Sequence, residues 1–224
     1  MPRLDVLLCT RNRADRAVAV VRDVLAQRGS VARIVVVDQS DDPMPLRQAL
    51  DALDVDDIVL VHSPPLGLPR ARNIALDKAR SDIVAYVDDD VRLMPGCLAA
   101  HLAAYEDPTV GAVVGRIIER HAVGNVRHTA NRINWHGRVV TQLAGSRAMD
   151  VGVTKGANMS FRRDALVRAG GFDARLGGTA LLEDAEASAR VADRGWRVRF
   201  VPEAEVVHLS DPTGGVRQDS AHRT

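Results

Sequence analysis

The stretch IVAYVDDDVRL, residues 83–93, joins a short apolar run to three consecutive aspartates, Asp88, Asp89 and Asp90. A compact run rich in Val and Ile is typical of a buried strand. Adjacent carboxylates repel one another, and they are tolerated mainly where water or a cation offsets their charge. The stretch therefore predicts a core strand that ends at a polar rim.

The aspartates have two interpretations besides metal binding. They precede the helix predicted near Pro95 by too many residues to cap its first turn, whereas a turn-forming role stays open. Mg²⁺ and Mn²⁺ prefer hard oxygen ligands, take only one or two protein carboxylates, and leave other positions to substrate phosphates. We therefore expect the cluster to bind such an ion, and the ion to bind a diphosphate.

Further compact apolar runs precede this one, at residues 4–10, 32–38 and 57–62. Between them, apolar side chains recur at helical spacing. They are Val20, Val21, Val24 and Leu25 in one segment and Leu68, Ala71, Ile74 and Ala75 in another. The resulting order βαβαβαβ predicts an α/β fold, with a mostly parallel sheet between helices. In such folds ligands bind beyond the carboxyl ends of the strands.

The second half of the chain is less regular. Residues 110–120 and 196–210 resemble strands, the latter interrupted by Pro202, and residues 181–195 resemble a helix that ends at Gly195. The polar stretch 121–151 is too long for an ordinary connector, and we expect it to be functional or mobile. Trp196 is predicted to pack beneath the last strands.

Composition limits the class of protein. The chain has 224 residues, 30 basic and 29 acidic, and is 46% hydrophobic, which predicts a soluble domain with a proper core. Lys78 and Lys155 are the only lysines, and without net basicity nucleic-acid binding is not expected. No apolar run approaches the about 18 residues of a membrane span. We expect no transmembrane segment, and a cytoplasmic location or one at the inner face of the membrane. Cys9 and Cys97 are predicted to be buried, reduced thiols.

Polar residues follow several predicted strands. Thr10, Arg11 and Asn12 end the first, Asp38 and Gln39 end the second, and the aspartate triplet ends the fourth. In parallel strands these ends meet at one rim. Asp38 could be a turn residue, or it could accept hydrogen bonds from a base or ribose.

The turn after the first strand offers no glycine. Its sequence is LLCTRNRADR, residues 7–16, and the chain contains neither a G-x-G-x-x-G motif nor a P-loop. Backbone amides at this turn are therefore not arranged for close approach to a pyrophosphate. If a nucleotide binds, we expect a metal held by the aspartates to offset its charge.

A set of ordered segments carries a family resemblance. The segments are CTRNR, VVVDQS, GLPRARNIA, VDDDV, KGANMSFRR, GGFD, LLEDAEASAR, GWRV and HLS. Together they resemble the family-2 glycosyltransferases with the glycosyltransferase A (GT-A) fold, over residues 4–208. The resemblance implies a single-domain, Rossmann-like, mostly parallel but mixed sheet flanked by helices. It also implies a nucleotide-binding half at 1–115, an acceptor and catalytic half at 116–208, and a polar tail at 209–224.

The implied activity is transfer of a sugar from a nucleotide diphosphate sugar to an acceptor hydroxyl. The resemblance implies dependence on Mn²⁺ or Mg²⁺, inversion of the anomeric centre, and a UDP-sugar as the favoured donor. The acceptor, whether a glycan, a lipid-linked sugar or a small molecule, and the oligomeric state stay open. A non-catalytic nucleotide-sugar binding module or regulatory subunit with the same fold is the alternative.

The resemblance also implies roles for individual residues. Asp184, in the ED motif, is the general base. Asp88 and Asp90 are the D-x-D pair near ribose and metal. The triplet leaves open which aspartate faces the metal; Asp90 is the preferred ligand and Asp88 lies nearer the ribose, and His208 completes the metal or diphosphate site. The residues expected to contact the donor are Thr10, Arg11, Arg13, Asp38, Arg72, Asp88, Asp89, Gly156 and Asn158. Trp135, in the polar stretch, could stack on an acceptor sugar.

The residue types themselves, considered apart from the resemblance, support these roles only in part. An inverting transfer needs one carboxylate opposite the leaving group. Glu183 and Asp184, however, open a predicted helix, where the helix dipole stabilises carboxylates in any case. His208 could be a strand-end side chain, and Arg72 could lie on a solvated helix face. A nucleotidylyltransferase would need a Gly-rich basic segment after the first strand. A D-x-D phosphatase would need its aspartates on that strand and Thr or Val in place of Arg92.

Overall fold

The computed structural model describes residues 3–120, 130–133, 139–176 and 182–209. The strands are β1 (Leu4–Thr10), β2 (Val31–Asp38), β3 (Ile58–His62), β4 (Ile83–Val87), β5 (Val91–Leu93), β6 (Val110–Glu119), β7 (Ala130–Ile133), β8 (Val139–Gln142), β9 (Met149–Asp150), β10 (Asn158–Arg162) and β11 (Arg197–His208). The α-helices are α1 (Ala14–Leu25), α2 (Met44–Asp51), α3 (Leu68–Lys78), α4 (Cys97–Ala104), α5 (Arg163–Arg168) and α6 (Glu183–Ala192).

A nine-stranded mixed sheet forms the centre of these residues, in the order β3-β2-β1-β4-β10-β6-β11-β5, with β9 added beside β11. The first four strands of this order are parallel, as the βα alternation predicts. β10 then runs antiparallel to both β4 and β6. The predicted α/β fold with a mixed sheet is confirmed. The predicted boundary between residues 115 and 116 falls inside β6, so both halves share the sheet.

Helices cover both faces of the sheet. Leu4, Val6 and Leu8 of β1 belong to one apolar cluster, which also includes buried residues of α1, α2 and α4. Leu7 points to the other cluster, with residues of α3, α5 and α6. Side chains alternate along a strand, so a strand apolar at every position is buried on both faces. This explains why the strands of the first half are continuous apolar runs.

Two features differ from the sequence analysis. The predicted order βαβαβαβ includes a helix between residues 38 and 57, but its residues were not identified. This helix is α2, which buries only Leu46 and Leu50, an apolar pair one turn apart and a weak periodic signal. Pro202 does not interrupt the last strand. β11 continues through it, and the register with β6 shifts between Val201 and Glu205. Proline lacks an N–H and is accommodated at such an irregularity.

The short strand β5 was not predicted, and its pairing determines the position in space of the last residues of β11. β5 follows the aspartates directly and pairs antiparallel with β11, so that Val91 lies opposite His208. The N–H of Leu209 also donates to the carbonyl of Asp90, at 2.8 Å. This pairing brings the end of β11 to the carboxyl end of β4.

Candidate active site

The carboxyl ends of β1, β2 and β4 meet at one edge of the sheet, as the sequence predicted. Thr10 lies opposite Asp38 in the parallel register. The loops beyond are tied by backbone hydrogen bonds, from Gln39 N to Thr10 O at 2.9 Å and from Ser63 N to Asp38 O at 2.8 Å. The predicted site therefore has a rigid frame on this side.

The three aspartates have different surroundings. Asp89 is buried, and its carboxylate accepts hydrogen bonds from Thr10 Oγ1 at 2.7 Å and from Arg13 Nη1 at 2.9 Å. Burial raises the pKa of Asp89 to about 6, against the lowering effect of these partners. Thr10, Arg13 and Asp89, all predicted donor contacts, are thus joined to one another. The Asp88 side chain is 33% exposed and faces a different environment.

Asp88, Asp90 and His208 come together as a possible metal site. One ligand atom from each lies within 4.8 Å of the other two. Carboxylate oxygens with an imidazole nitrogen suit Mn²⁺, and the oxygens also suit Mg²⁺. The sequence analysis assigned these three residues to the metal, and the structure brings them together. The β5–β11 pairing is the reason, because it carries His208 to the aspartates.

His208 also contacts a further carboxylate. Its Nε2 lies 3.2 Å from Asp90 Oδ1, and its Nδ1 lies 2.8 Å from Glu119 Oε2. The hydrogen bond to Asp90, with that to Glu119, raises the pKa of His208 to about 9. A ligating imidazole is neutral, so metal binding would release this proton. Glu119 would then orient the ring from behind.

Asp38 is fully buried beside this cluster. Its Oδ1 accepts the N–H of Ser40 at 2.9 Å. Its Oδ2 has no hydrogen-bond partner in the described ranges. A buried carboxylate oxygen without a partner is costly, and an N–H or hydroxyl of a bound nucleoside would satisfy it.

Arg11, another predicted donor contact, lies near the same loops. Its Nη2 is 3.7 Å from Asp41 Oδ1. Asp41 is also bound to Asn12, whose side-chain amide donates to the Asp41 carboxylate at 2.9 Å and accepts the Asp41 N–H at 3.1 Å. The loops after β1 and β2 are therefore joined across the edge of the sheet.

Arg72, assigned to the donor from sequence, is buried beneath the rim. Its guanidinium forms an ion pair with Glu183 and lies 3.4 Å from Asp88 Oδ1. It also lies over the ring of Phe172, 5.4 Å from the centroid. Burial acts to lower the pKa of Arg72, but Glu183 and Asp88 together raise it. The solvated helix face considered for Arg72 is therefore wrong.

Glu183 received no role in the sequence analysis beyond helix capping. It is buried at the start of α6, and burial raises its pKa although the Arg72 charge opposes this effect. A buried acid needs a partner. The available signal was the acid pair in LLEDAEASAR, which opens helix α6.

Asp184 lies in the first turn of α6, held by backbone donors. Its Oδ2 accepts the N–H of Gly156 at 2.6 Å, and its Oδ1 accepts the N–H of Ala185 at 2.7 Å. Gly156 also lies against Arg72, because a Cβ built at Gly156 would be 2.3 Å from Arg72 Nη2. The segment KGAN, the two acids of α6 and Arg72 therefore form one packed unit.

Asn158, the last predicted donor contact, is hydrogen-bonded within the sheet. Its side chain is fully buried and donates to the carbonyls of Ala204 at 2.7 Å and Arg116 at 3.1 Å. Its Oδ1 is hydrogen-bonded to His101 Nε2 at 2.8 Å. All its polar groups are thus used to join β10 to β6, β11 and α4. The sequence analysis missed His101, whose signal is a lone histidine in the apolar helix CLAAHLAA.

Parts of the predicted site fall outside the described residues. Trp135 and its proposed stacking role lie there, as do residues 121–129 of the polar stretch and residues 210–224 of the predicted polar tail. Trp196 packs as predicted, against Gly111 of β6. None of the helices in the described ranges is long and apolar enough to cross a membrane. The cytoplasmic location stays a prediction.

This sheet, with an Asp–Asp–His cluster at the carboxyl ends of its strands, defines the GT-A class of glycosyltransferase folds. The model of the Glycosyl transferase family 2 matches residues 5–169, and the chain belongs to this family. A glucosyl-dolichyl phosphate glucuronosyltransferase of Haloferax volcanii is 26% identical over 179 residues, which are 78% of this chain. The chain spans 57% of that protein's length.

Solved structures share the fold at low sequence identity. GalNAc-T7 with UDP, GalNAc and Mn²⁺ matches 93% of this chain and 44% of its own, with a TM-score of 0.76 and 18% identity. The mannosyltransferase PcManGT of Pyrobaculum calidifontis, in complex with GDP-Man and Mn²⁺, matches 95% of this chain and 58% of its own. Its TM-score is 0.71 at 23% identity. These likenesses confirm the predicted fold.

Proposed function

We propose that this chain transfers a sugar from a nucleotide diphosphate sugar to an acceptor hydroxyl, with Mn²⁺ or Mg²⁺ as cofactor. The observation that carries the proposal is the cluster of Asp88, Asp90 and His208, placed where strand ends converge in a family of glycosyltransferases. Asp88, Asp90 and His208 would hold the ion. When bound, the ion supplies positive charge for the departing diphosphate.

Other residues would bind the nucleoside part of the donor. The unpartnered Oδ2 of Asp38 supports a contact to a base or ribose, since a donor group there would complete its hydrogen bonding. Thr10 and Arg13 both donate hydrogen bonds to the Asp89 carboxylate, next to Asp88 and Asp90. A uridine nucleotide is our proposed donor, in keeping with the UDP bound by GalNAc-T7, whereas PcManGT binds a guanosine donor.

Asp184 is the proposed general base, in a single displacement that inverts the anomeric centre. Each of its oxygens accepts one backbone N–H, and a carboxylate oxygen has a second lone pair for an acceptor hydroxyl. The bond from Gly156 orients Oδ2, so that little movement is needed when the proton is transferred. Glu183, the neighbouring acid, is not proposed for this role, because its carboxylate is already paired with the Arg72 guanidinium.

The test is a turnover assay with a panel of nucleotide sugars and hydroxyl acceptors in the presence of Mn²⁺, read as release of the nucleoside diphosphate. We expect release with a uridine donor that stops on chelation of the metal. A non-catalytic binding module would bind donor and metal but release nothing with any acceptor. Binding without release across the panel would therefore contradict the proposed transfer.

A further inference from the structure

The guanidinium of Arg72 lies between the metal cluster and helix α6. One side of it forms the ion pair with Glu183, which is 111 residues further along the chain. The other side lies 3.4 Å from Asp88 Oδ1. Only 3% of the Arg72 side chain is exposed, so solvent screens its pair with the buried Glu183 little, whereas the contact with Asp88, whose side chain is 33% exposed, is screened more.

The surroundings hold this side chain in one orientation. The Phe172 ring lies 5.4 Å from the guanidinium carbon. Gly156 leaves room for Nη2 that any side chain would occupy. Tyr86 donates its hydroxyl to the Arg72 carbonyl at 3.2 Å, which ties the backbone of α3 to β4. Arg72 is thus a buried, fixed cation with two carboxylate neighbours of different exposure.

We propose that Arg72 is a positioning residue that couples the metal ligand Asp88 to Glu183 and so to α6, which carries Asp184. Glu183 is the closer partner and draws the guanidinium away from Asp88. This leaves the Asp88 carboxylate available to a cation. When Glu183 is replaced by a neutral residue, the Arg72 guanidinium is attracted mainly to Asp88. It then competes with the metal ion for the Asp88 carboxylate. The effect of this coupling on sugar transfer rests on the proposed function. The coupling itself depends only on the side chains of Arg72, Asp88 and Glu183.

The first test is the affinity for Mn²⁺ alone, measured by electron paramagnetic resonance without nucleotide. Glu183→Gln removes a charge from a residue outside the ligand set. We expect the Kd for Mn²⁺ to rise by at least about fivefold, the lower end of ordinary coupling between sites. Glu186→Gln is the matched control, because Glu186 lies on the same helix and pairs with Arg190. An unchanged Kd in Glu183→Gln would overturn the proposal.

A second variant guards against simple loss of structure. Arg72→Met with Glu183→Gln replaces the buried ion pair by neutral groups of similar size, which proteins often tolerate. With the competing cation gone, we expect the Kd for Mn²⁺ to return to within about twofold of the wild-type value, although two contacts have been lost. A Kd as weak as in Glu183→Gln alone would argue that Arg72 is not the link.

Unfolding without metal separates this inference from the proposed function. Asp88→Asn and Glu183→Gln are compared singly and together by urea denaturation. Because both carboxylates act on Arg72, we expect shifts of the unfolding midpoint that do not add. If the wild-type chain binds no Mn²⁺, the proposed function fails, but this double-mutant cycle still tests the coupling through Arg72. Additive shifts of the unfolding midpoint would reject the coupling.

Steady-state kinetics distinguish positioning from donor binding. Arg72→Lys keeps the charge but not the fork that spans two carboxylates. A positioning role predicts a kcat lower by about tenfold with a donor KM within about twofold of wild type. A donor contact, the role assigned from sequence, predicts a raised KM at unchanged kcat. That second pattern would overturn the proposal.

Discussion

The N–H of Gly156 donates a 2.6 Å hydrogen bond to Oδ2 of Asp184, and no side chain other than hydrogen fits at position 156 beside Arg72. One glycine thus orients the proposed base and admits the buried cation. These two demands explain why the KGAN segment and the acids of α6 lie together. They also make position 156 sensitive to the smallest change.

Gly156→Ala should reduce stability and disturb the base together. The added Cβ would lie 2.3 Å from Arg72 Nη2, so the guanidinium must move. We expect a loss of about 1–3 kcal/mol in the free energy of unfolding, as for other overpacked sites. Urea denaturation measures it. Gly29→Ala is the control, since a Cβ there meets no atom within 4 Å, and it should change stability by less than about 0.5 kcal/mol. Equal effects of the two variants would contradict this packing argument.

Asp184→Asn should separate binding from turnover. Asparagine keeps the size and can still accept the Gly156 N–H, but it cannot take a proton from an acceptor. We expect turnover to fall by about 10²–10⁴-fold, the usual contribution of a general base. The Kd for UDP with Mn²⁺, measured by calorimetry, should stay the same. Asp164→Asn, at an exposed acid of α5, is the control and should retain full turnover. Wild-type turnover in Asp184→Asn would disprove the base.

Donor binding should depend on the metal and on Asp90. A ligand that binds only the folded state at 100 times its Kd adds about 2.7 kcal/mol of stability. For a chain of this size, that corresponds to a rise of about 5–10 °C in Tm. We expect this shift when UDP and Mn²⁺ are added together, and its loss with a chelator or in Asp90→Ala. A shift of the same size in the variant would exclude the proposed metal site.

The buried His101 should make stability fall in weak acid. Burial lowers its pKa from 6.5 to about 4, although the hydrogen bond to Asn158 opposes this shift. The unfolded chain therefore takes up a proton between these two values that the folded chain does not. The stability that the neutral, buried His101 contributes is therefore complete above pH 6.5 and is lost as the pH falls towards 4.

Between pH 7 and 5 the loss from this one group is about 2 kcal/mol. Because other groups titrate in the same range, the quantity to compare is the pH dependence of unfolding in wild type and in His101→Gln. The variant should lack this part of the acid destabilisation. Parallel pH curves for the two proteins would show that His101 is not buried as a neutral ring.

Much of the fold followed from local pattern. Strands β1 to β4 begin and end within a residue of their predicted positions, since compact apolar runs such as IVAYV are typical of buried strands. The predicted order of elements implied a helix between β2 and β3, but the residues of α2 were not identified because only Leu46 and Leu50 are buried. The prediction that Pro202 interrupts the last strand was wrong, because sequence alone does not show a shift in strand register.

The candidate site divides in the same way. The sequence determined by itself that carboxylates follow β4 and that polar groups follow β1 and β2, because the alternation of strands and helices brings those ends to one edge. Only the tertiary structure decided that β5 pairs with β11 and so brings His208 to the aspartates, and that Arg72 forms an ion pair with Glu183. Those partners lie more than a hundred residues apart, and an arginine or histidine carries no local mark of the distant carboxylate it will meet.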